Sequence, residues 1–160
     1  MNHAAAPETP KPATSHTAAM NAAAAAALSF DDPGDHERAT RGLIATHETG
    51  RITLGDHVVW DVANHDFVRE DESPPETVHP GLWRQARLNS IHGLFEVADG
   101  VWQARGYDIS NITVLETDDG WLIVDPLTTS STAAACLELA NATVGERPVT
   151  AIIYTHSHTD

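Results

Sequence analysis

The chain has 160 residues, 41% hydrophobic and 20% charged, a composition that fits one globular domain better than a disordered tail. Nine Lys and Arg against 23 Asp and Glu leave a formal charge of −14, which excludes the basic face needed to bind nucleic acid or an anionic membrane. No continuous apolar run is long enough to span a bilayer. The single cysteine, Cys136, excludes an internal disulfide or a Cys-rich metal site and is expected to pack as a small apolar residue.

Residues 1–17 are rich in Pro, Ala and Thr without periodicity and read as a disordered lead-in. The alanines Ala22–Ala27 give residues 18–28 helical propensity. Lys11, the only base ahead of them, stands with Glu8 among prolines, a poor match to an export signal, so the expected compartment is the cytoplasm. Asp31-Asp32-Pro33 is a helix start, and that helix is predicted to run to about Thr46 with Leu43 and Ile44 near its buried end. Val58-Val59-Trp60 is a short apolar run. The acidic, proline-bearing stretch Arg69 to Pro80 reads as an irregular surface connection, and helix returns around Pro80–His92.

From Gly93 onward the pattern is that of strands. Leu94–Val97 and Val101–Arg105 flank Ala98-Asp99-Gly100, while Ile112–Thr117 and Trp121–Asp125 flank Asp118-Asp119-Gly120, the strongest hairpin signal in the chain. A helix is predicted over Ser131–Ala142. Val149–Tyr154 is almost continuously apolar, as a strand buried on both faces should be. The chain therefore divides into a lead-in (1–17), a helical and irregular extension (18–92) and an α/β domain beginning at 93.

The segments 121–125, 131–142 and 149–154 form a β-α-β unit, whose two strands run parallel through a right-handed crossover. Their carboxyl ends share one sheet edge, where open α/β sheets place ligands. Asp125 ends the first strand, and Thr155-His156-Ser157-His158-Thr159-Asp160 leaves the second. The antiparallel hairpin before them returns the loop Gly106–Asn111 to the same edge. In His156-x-His158-x-Asp160, alternate side chains leaving a strand can face one space. Two imidazoles and a carboxylate there suit a borderline cation such as zinc, which would acidify a bound water for hydrolysis. Asp125 is placed either to hold this loop through its backbone amides or simply to close a strand ahead of Pro126. Tyr107, Asp108 and Asn111 are candidates to border a substrate, although ordinary loop composition explains them equally well. The other eight histidines show no ligand spacing, and Trp60, Trp83, Trp102 and Trp121 read as core or interface aromatics.

Ala151-Ile152-Ile153-Tyr154-Thr155 followed by His156-Ser157-His158-Thr159-Asp160 resembles the signature of the metallo-β-lactamase superfamily, whose motif continues with another His. The stretches TVHPGLWRQARLN (77–89), HGLFEVADGVWQARGYDISNIT (92–113), GWLIVDPLTT (120–129) and GERPVTAIIYTHSHTD (145–160) resemble the N-terminal part of the alkyl sulfatases, enzymes that hydrolyse dodecyl sulfate. FDDPGDHERATRGLIA (30–45) and DHVVWDVANHDFV (56–68) fit the same family, so the resemblance covers about 18–160. It implies the N-terminal half of an αββα sandwich behind a helical lead-in, and a two-zinc site in which His156 and His158 bind one zinc and Asp160 the second. It also implies a longer, homodimeric parent whose remaining ligands, sulfate-binding residues and sterol-carrier-like domain lie downstream.

The leading expectation is thus a truncated part of a zinc hydrolase that converts an alkyl sulfate ester to an alcohol and inorganic sulfate. Two other readings compete: hydrolysis of a thioester, lactone or phosphodiester on the same fold, or a non-catalytic binding or assembly module with an incomplete metal loop. On its own, the 160-residue chain is expected to be inactive and, with a sheet face unpartnered, to aggregate or stay partly unfolded.

Overall fold

Local propensity and short turns account for most of the elements, and pairing between distant segments accounts for the rest. The computed structural model describes residues 11–30, 32–68 and 73–158. Helix α1 (Ser15–Ala27) rests on alanine propensity and begins inside the segment read as lead-in, where Thr14 Oγ1 accepts from the Thr17 amide. None of its residues is buried. Helix α2 (Gly34–Thr40) starts where Asp32 Oδ1 accepts from Gly34 N at 2.9 Å. The other predicted capping residue, Asp31, lies outside the described residues, as do 1–10 of the lead-in and 69–72 of the acidic connection.

The predicted continuation of α2 to Thr46 is wrong. Gly42 turns the chain at φ +78°, and Leu43–Ala45 forms strand β1, antiparallel to Gly93–Ala98. The Gly42 carbonyl accepts from Glu96 N at 2.7 Å, so a non-local partner overrides whatever helical preference the segment has. Strands β2 (Arg51–Leu54) and β3 (His57–Asp61) make a separate two-stranded hairpin, of which only the Val58–Trp60 run registered in the sequence. A single 3-10 turn, Val62–His65, follows. Among its described residues the segment 18–92 thus contains three strands besides its helices.

Helix α3 (Pro80–Asn89) has His79 Nδ1 accepting from Gly81 N at its start and ends before the predicted His92. Arg84 ties it to α2 through an ion pair with Asp35 and a bond to the Asp32 carbonyl; that guanidinium holds the Asp35 carboxyl below its usual range. The remaining elements lie within one or two residues of their predicted bounds: β4 (Gly93–Ala98), β5 (Val101–Arg105), β6 (Ile112–Thr117), β7 (Gly120–Val124), α4 (Ser130–Val144) and β8 (Val149–Ile153).

The main sheet has the order β1-β4-β5-β6-β7-β8. All its neighbours are antiparallel except β7 and β8, which are parallel and joined through α4. Thr132, Cys136 and Ala140, at helical i, i+4 spacing, form the buried stripe of α4. Cys136 and Ala140 pack in one core with Leu94, Trp102, Ala104, Ile112, Val114, Trp121 and Ile123 of the sheet. Trp102 and Trp121 meet edge to face at 5.7 Å, and Trp121 Nε1 donates to Asn141 Oδ1 at 2.7 Å. Trp83 is buried, and half-buried Trp60 packs on the core while donating to the Gly106 carbonyl at 2.8 Å. Cys136 is buried, and desolvation pushes its thiol up to about 12.

Strand β8 departs from expectation. Its apolar run predicted burial on both faces, yet Val149, Ile152 and Ile153 are 40%, 51% and 47% exposed. The reason is its position, since it is the outermost strand and pairs only with β7. The sheet face away from α4 carries Val97, Val101, Leu115, Leu122, Val124 and Ile153, all half-buried or exposed.

Candidate metal centre

Sheet topology alone brings three polar segments together. Because β7 and β8 are parallel, Asp125 and the segment from Tyr154 to His158 leave the same edge, joined where Asp125 N donates to the Ile153 carbonyl at 2.9 Å. The antiparallel pairing of β5, β6 and β7 places the loop Gly106–Asn111 at that edge too.

Asp125 grips the start of the histidine loop. Its Oδ1 accepts from Thr155 N at 2.9 Å and its Oδ2 from the Thr155 hydroxyl at 2.7 Å. The amide bond, then the hydroxyl bond and the nearby His156, hold the Asp125 carboxyl below its usual range. Thr155 has one hydroxyl proton. With that proton on Asp125, the same oxygen is left to accept from His156 Nδ1, 3.2 Å away. The relay therefore favours the imidazole tautomer with Nδ1 protonated, in which Nε2 carries the lone pair that could bind a cation. The His156 and His158 rings are exposed, with centroids 4.8 Å apart and planes at 80°. Asp160, the third expected ligand, lies outside the described residues, and among those described no group of three or more His, Cys, Asp or Glu is set to hold a metal ion.

The turn carrying Asp125 is strained. Asp125 has φ +53° and Leu127 φ +71°, a region that costs a non-glycine residue about 1–3 kcal/mol. Leu127 is nevertheless only 3% exposed, so the core holds it there.

Tyr107 and Asp108, the candidates to border a substrate, are both largely enclosed. Tyr107 is 2% exposed, its hydroxyl accepts from His47 N at 2.8 Å, and its ring lies against those of His47 and His92. Burial raises its pKa. Asp108 is 7% exposed, and its carboxylate accepts from Ile109 N, Thr128 N and the hydroxyls of Thr128 and Thr132. Asn111 is exposed, and it lines with Asp108 a cleft of about 680 Å³ whose walls also include Asp35, Trp60, Arg105 and Ile109.

Comparison with known proteins is specific. A profile described as the metallo-beta-lactamase superfamily matches residues 105–160. The chain is 45% identical over 96% of its length to a linear primary-alkylsulfatase from Pseudomonas sp., and 44% identical over 94% to an (R)-specific secondary-alkylsulfatase from Pseudomonas sp.. An alkyl/aryl-sulfatase, BDS1, from Saccharomyces cerevisiae is 44% identical over 90%. The solved structure of the stereoselective inverting sec-alkylsulfatase Pisa1 from Pseudomonas sp. superposes with a TM-score of 0.87 at 44% identity, over 94% of this chain and 24% of that one. These likenesses support a fragment of an alkyl sulfatase of the metallo-β-lactamase superfamily. The chain spans about a quarter of the length of these relatives, 23% and 22% of the first two.

In this chain the donor chemistry fits a divalent cation. Imidazole nitrogens suit zinc, the two rings stand side by side at the sheet edge, and a carboxylate-threonine relay orients one of them. Sequence reasoning missed Thr155, Thr128 and Thr132. A threonine directly before the motif was visible, but nothing in the sequence shows which carboxylate it meets. Thr129, which caps α4 by accepting from Thr132 N at 3.1 Å, left the recognisable signature of a threonine opening a helix.

Proposed function

We propose that the chain forms the N-terminal quarter of a metal-dependent hydrolase that cleaves alkyl sulfate esters to an alcohol and inorganic sulfate. The observation that carries the proposal is the 44–45% identity to three alkylsulfatases over 90–96% of this chain. His156, His158 and Asp160 would hold zinc at the sheet edge, as part of a two-zinc site completed by residues beyond this segment. Bound there, the cation would supply Lewis acidity, lowering the pKa of water and offsetting negative charge on the sulfate group. Asp125 and Thr155 act before any chemistry. Together they hold the loop and keep His156 in one tautomer, so little reorganisation is needed when substrate arrives. The same proposal places the enzyme in the cytoplasm as a homodimer, with its hydrolase domain beginning near residue 93.

The test is sulfate release by the full-length, zinc-loaded protein from dodecyl sulfate and from a chiral secondary alkyl sulfate. Release of sulfate, lost on chelation and restored by zinc, supports the proposal. Turnover of a thioester, lactone or phosphodiester without sulfate release overturns it. Inversion at the chiral centre would assign attack to carbon, and retention would assign it to sulfur.

A further inference from the structure

A second carboxylate at this edge is buried. Asp108 is 7% exposed and has no ion-pair partner among the described residues. Instead it collects neutral donors from two elements: the Thr128 amide at 3.1 Å, the Thr128 hydroxyl at 2.7 and 2.8 Å, and the Thr132 hydroxyl at 2.6 Å, besides its neighbour's Ile109 amide at 2.7 Å. Thr128 directly precedes Thr129, the cap of α4, and Thr132 lies in the first turn of α4. The carboxylate thus sits where the helix dipole favours negative charge, and it joins the loop after β5 to the turn after β7.

That turn holds its shape against its own backbone preference, since Asp125 and Leu127 both lie at positive φ without being glycine. Such conformations persist only where surrounding contacts over-determine them. One end of the turn is fixed by Asp125 N on the Ile153 carbonyl and by buried Leu127, and the other by Thr128 on Asp108. Asp125 in turn holds Thr155 beside His156.

We infer that Asp108 is a positioning residue for the metal loop: by clamping Thr128 and the first turn of α4, it fixes the turn from which Asp125 reaches Thr155 and His156. The inference rests on the proposed metal-binding function of His156 and His158. It assigns to Asp108 a role in metal affinity that contact with substrate would not give.

The test is metal affinity in the full-length protein, read by competition with a chromophoric chelator and by the visible absorption of the cobalt-substituted protein. Asp108→Asn and Thr128→Val are each expected to weaken metal binding roughly tenfold, as loss of an outer hydrogen-bond partner commonly does, and to alter the cobalt spectrum. Combining Asp108→Asn with Asp125→Asn should weaken binding by less than the product of the single effects, because both act through one path. Far-UV circular dichroism checks folding, and if Asp108→Asn unfolds, the milder Thr128→Val decides. Unchanged affinity and spectrum in a folded variant, or fully multiplicative effects in the double variant, would overturn the inference and leave the metal reading intact. A wild-type protein that binds neither zinc nor cobalt would overturn both.

Discussion

The half-exposed apolar residues of β8 make the isolated 160-residue chain prone to associate, and the tendency can be tuned. Val149, Ile152, Ile153 and Tyr154 retain 40%, 51%, 47% and 55% of their surface in water. Fully burying such a side chain is worth about 1.5–3 kcal/mol, so each has roughly 1 kcal/mol still to gain and the four together about 4 kcal/mol. That corresponds to about a thousandfold in an association constant, before any bonding to the unpaired edge of the strand. Replacing Ile152 and Ile153 by lysine should remove about 2 kcal/mol, close to a thirtyfold change, while the lysine stems keep part of the sheet contact. The substitutions also lower the magnitude of the net charge from −14 to −12, which by charge alone favours association. A fall in association therefore reports the apolar edge. Sedimentation velocity over a concentration series is the assay, with the double variant's midpoint moving about thirtyfold higher. A wild-type chain that stays monomeric at high micromolar concentration, or a double variant with an unmoved midpoint, would refute the reasoning.

Three further predictions follow from individual residues. The Asp125 carboxyl is held below its usual value by Thr155, so the grip it provides is fully present above the ordinary carboxylate range and is lost as pH falls through its depressed value. The Thr155 amide resonance should accordingly show a step on the acid side of the ordinary carboxylate range, and in Asp125→Asn that acid step should vanish. Cys136 is buried, with its thiol raised to about 12, so a disulfide reagent should leave it unmodified at pH 8 in the folded protein and label it once denatured; fast labelling of the folded form would contradict the packing. A Cβ at Gly120, which has φ +148°, would lie 2.2 Å from the Pro148 carbonyl oxygen, so Gly120→Ala should destabilise the join between β7 and β8 by about 2 kcal/mol or more. A thermal midpoint equal to wild type would refute this.

Some of this protein is written in local chemistry. The turn Asp118-Asp119-Gly120 favours a hairpin between strand-forming runs, and the Ala22–Ala27 run favours helix without help. The spacing of His156 and His158, the parallel crossover that delivers them to one edge with Asp125, and the family resemblance were legible for the same reason: each depends on residues close in the chain or on a general rule of connection. The hairpin of β2 and β3 was within reach, because Gly55-Asp56 separates two β-forming segments.

Tertiary structure decided what depends on distant partners. Leu43–Ala45 looks like the end of a helix until Leu94 and Phe95 pair with it. Val149–Ile153 looks like a doubly buried strand until the sheet order places it outermost. Asp108 reads as a loop acid that could border a substrate; only the approach of Thr128 and Thr132, some twenty residues on, supplies the donors that offset its burial. The common cause is that an unpaired strand edge or a desolvated carboxylate is stabilised by groups the local sequence does not contain.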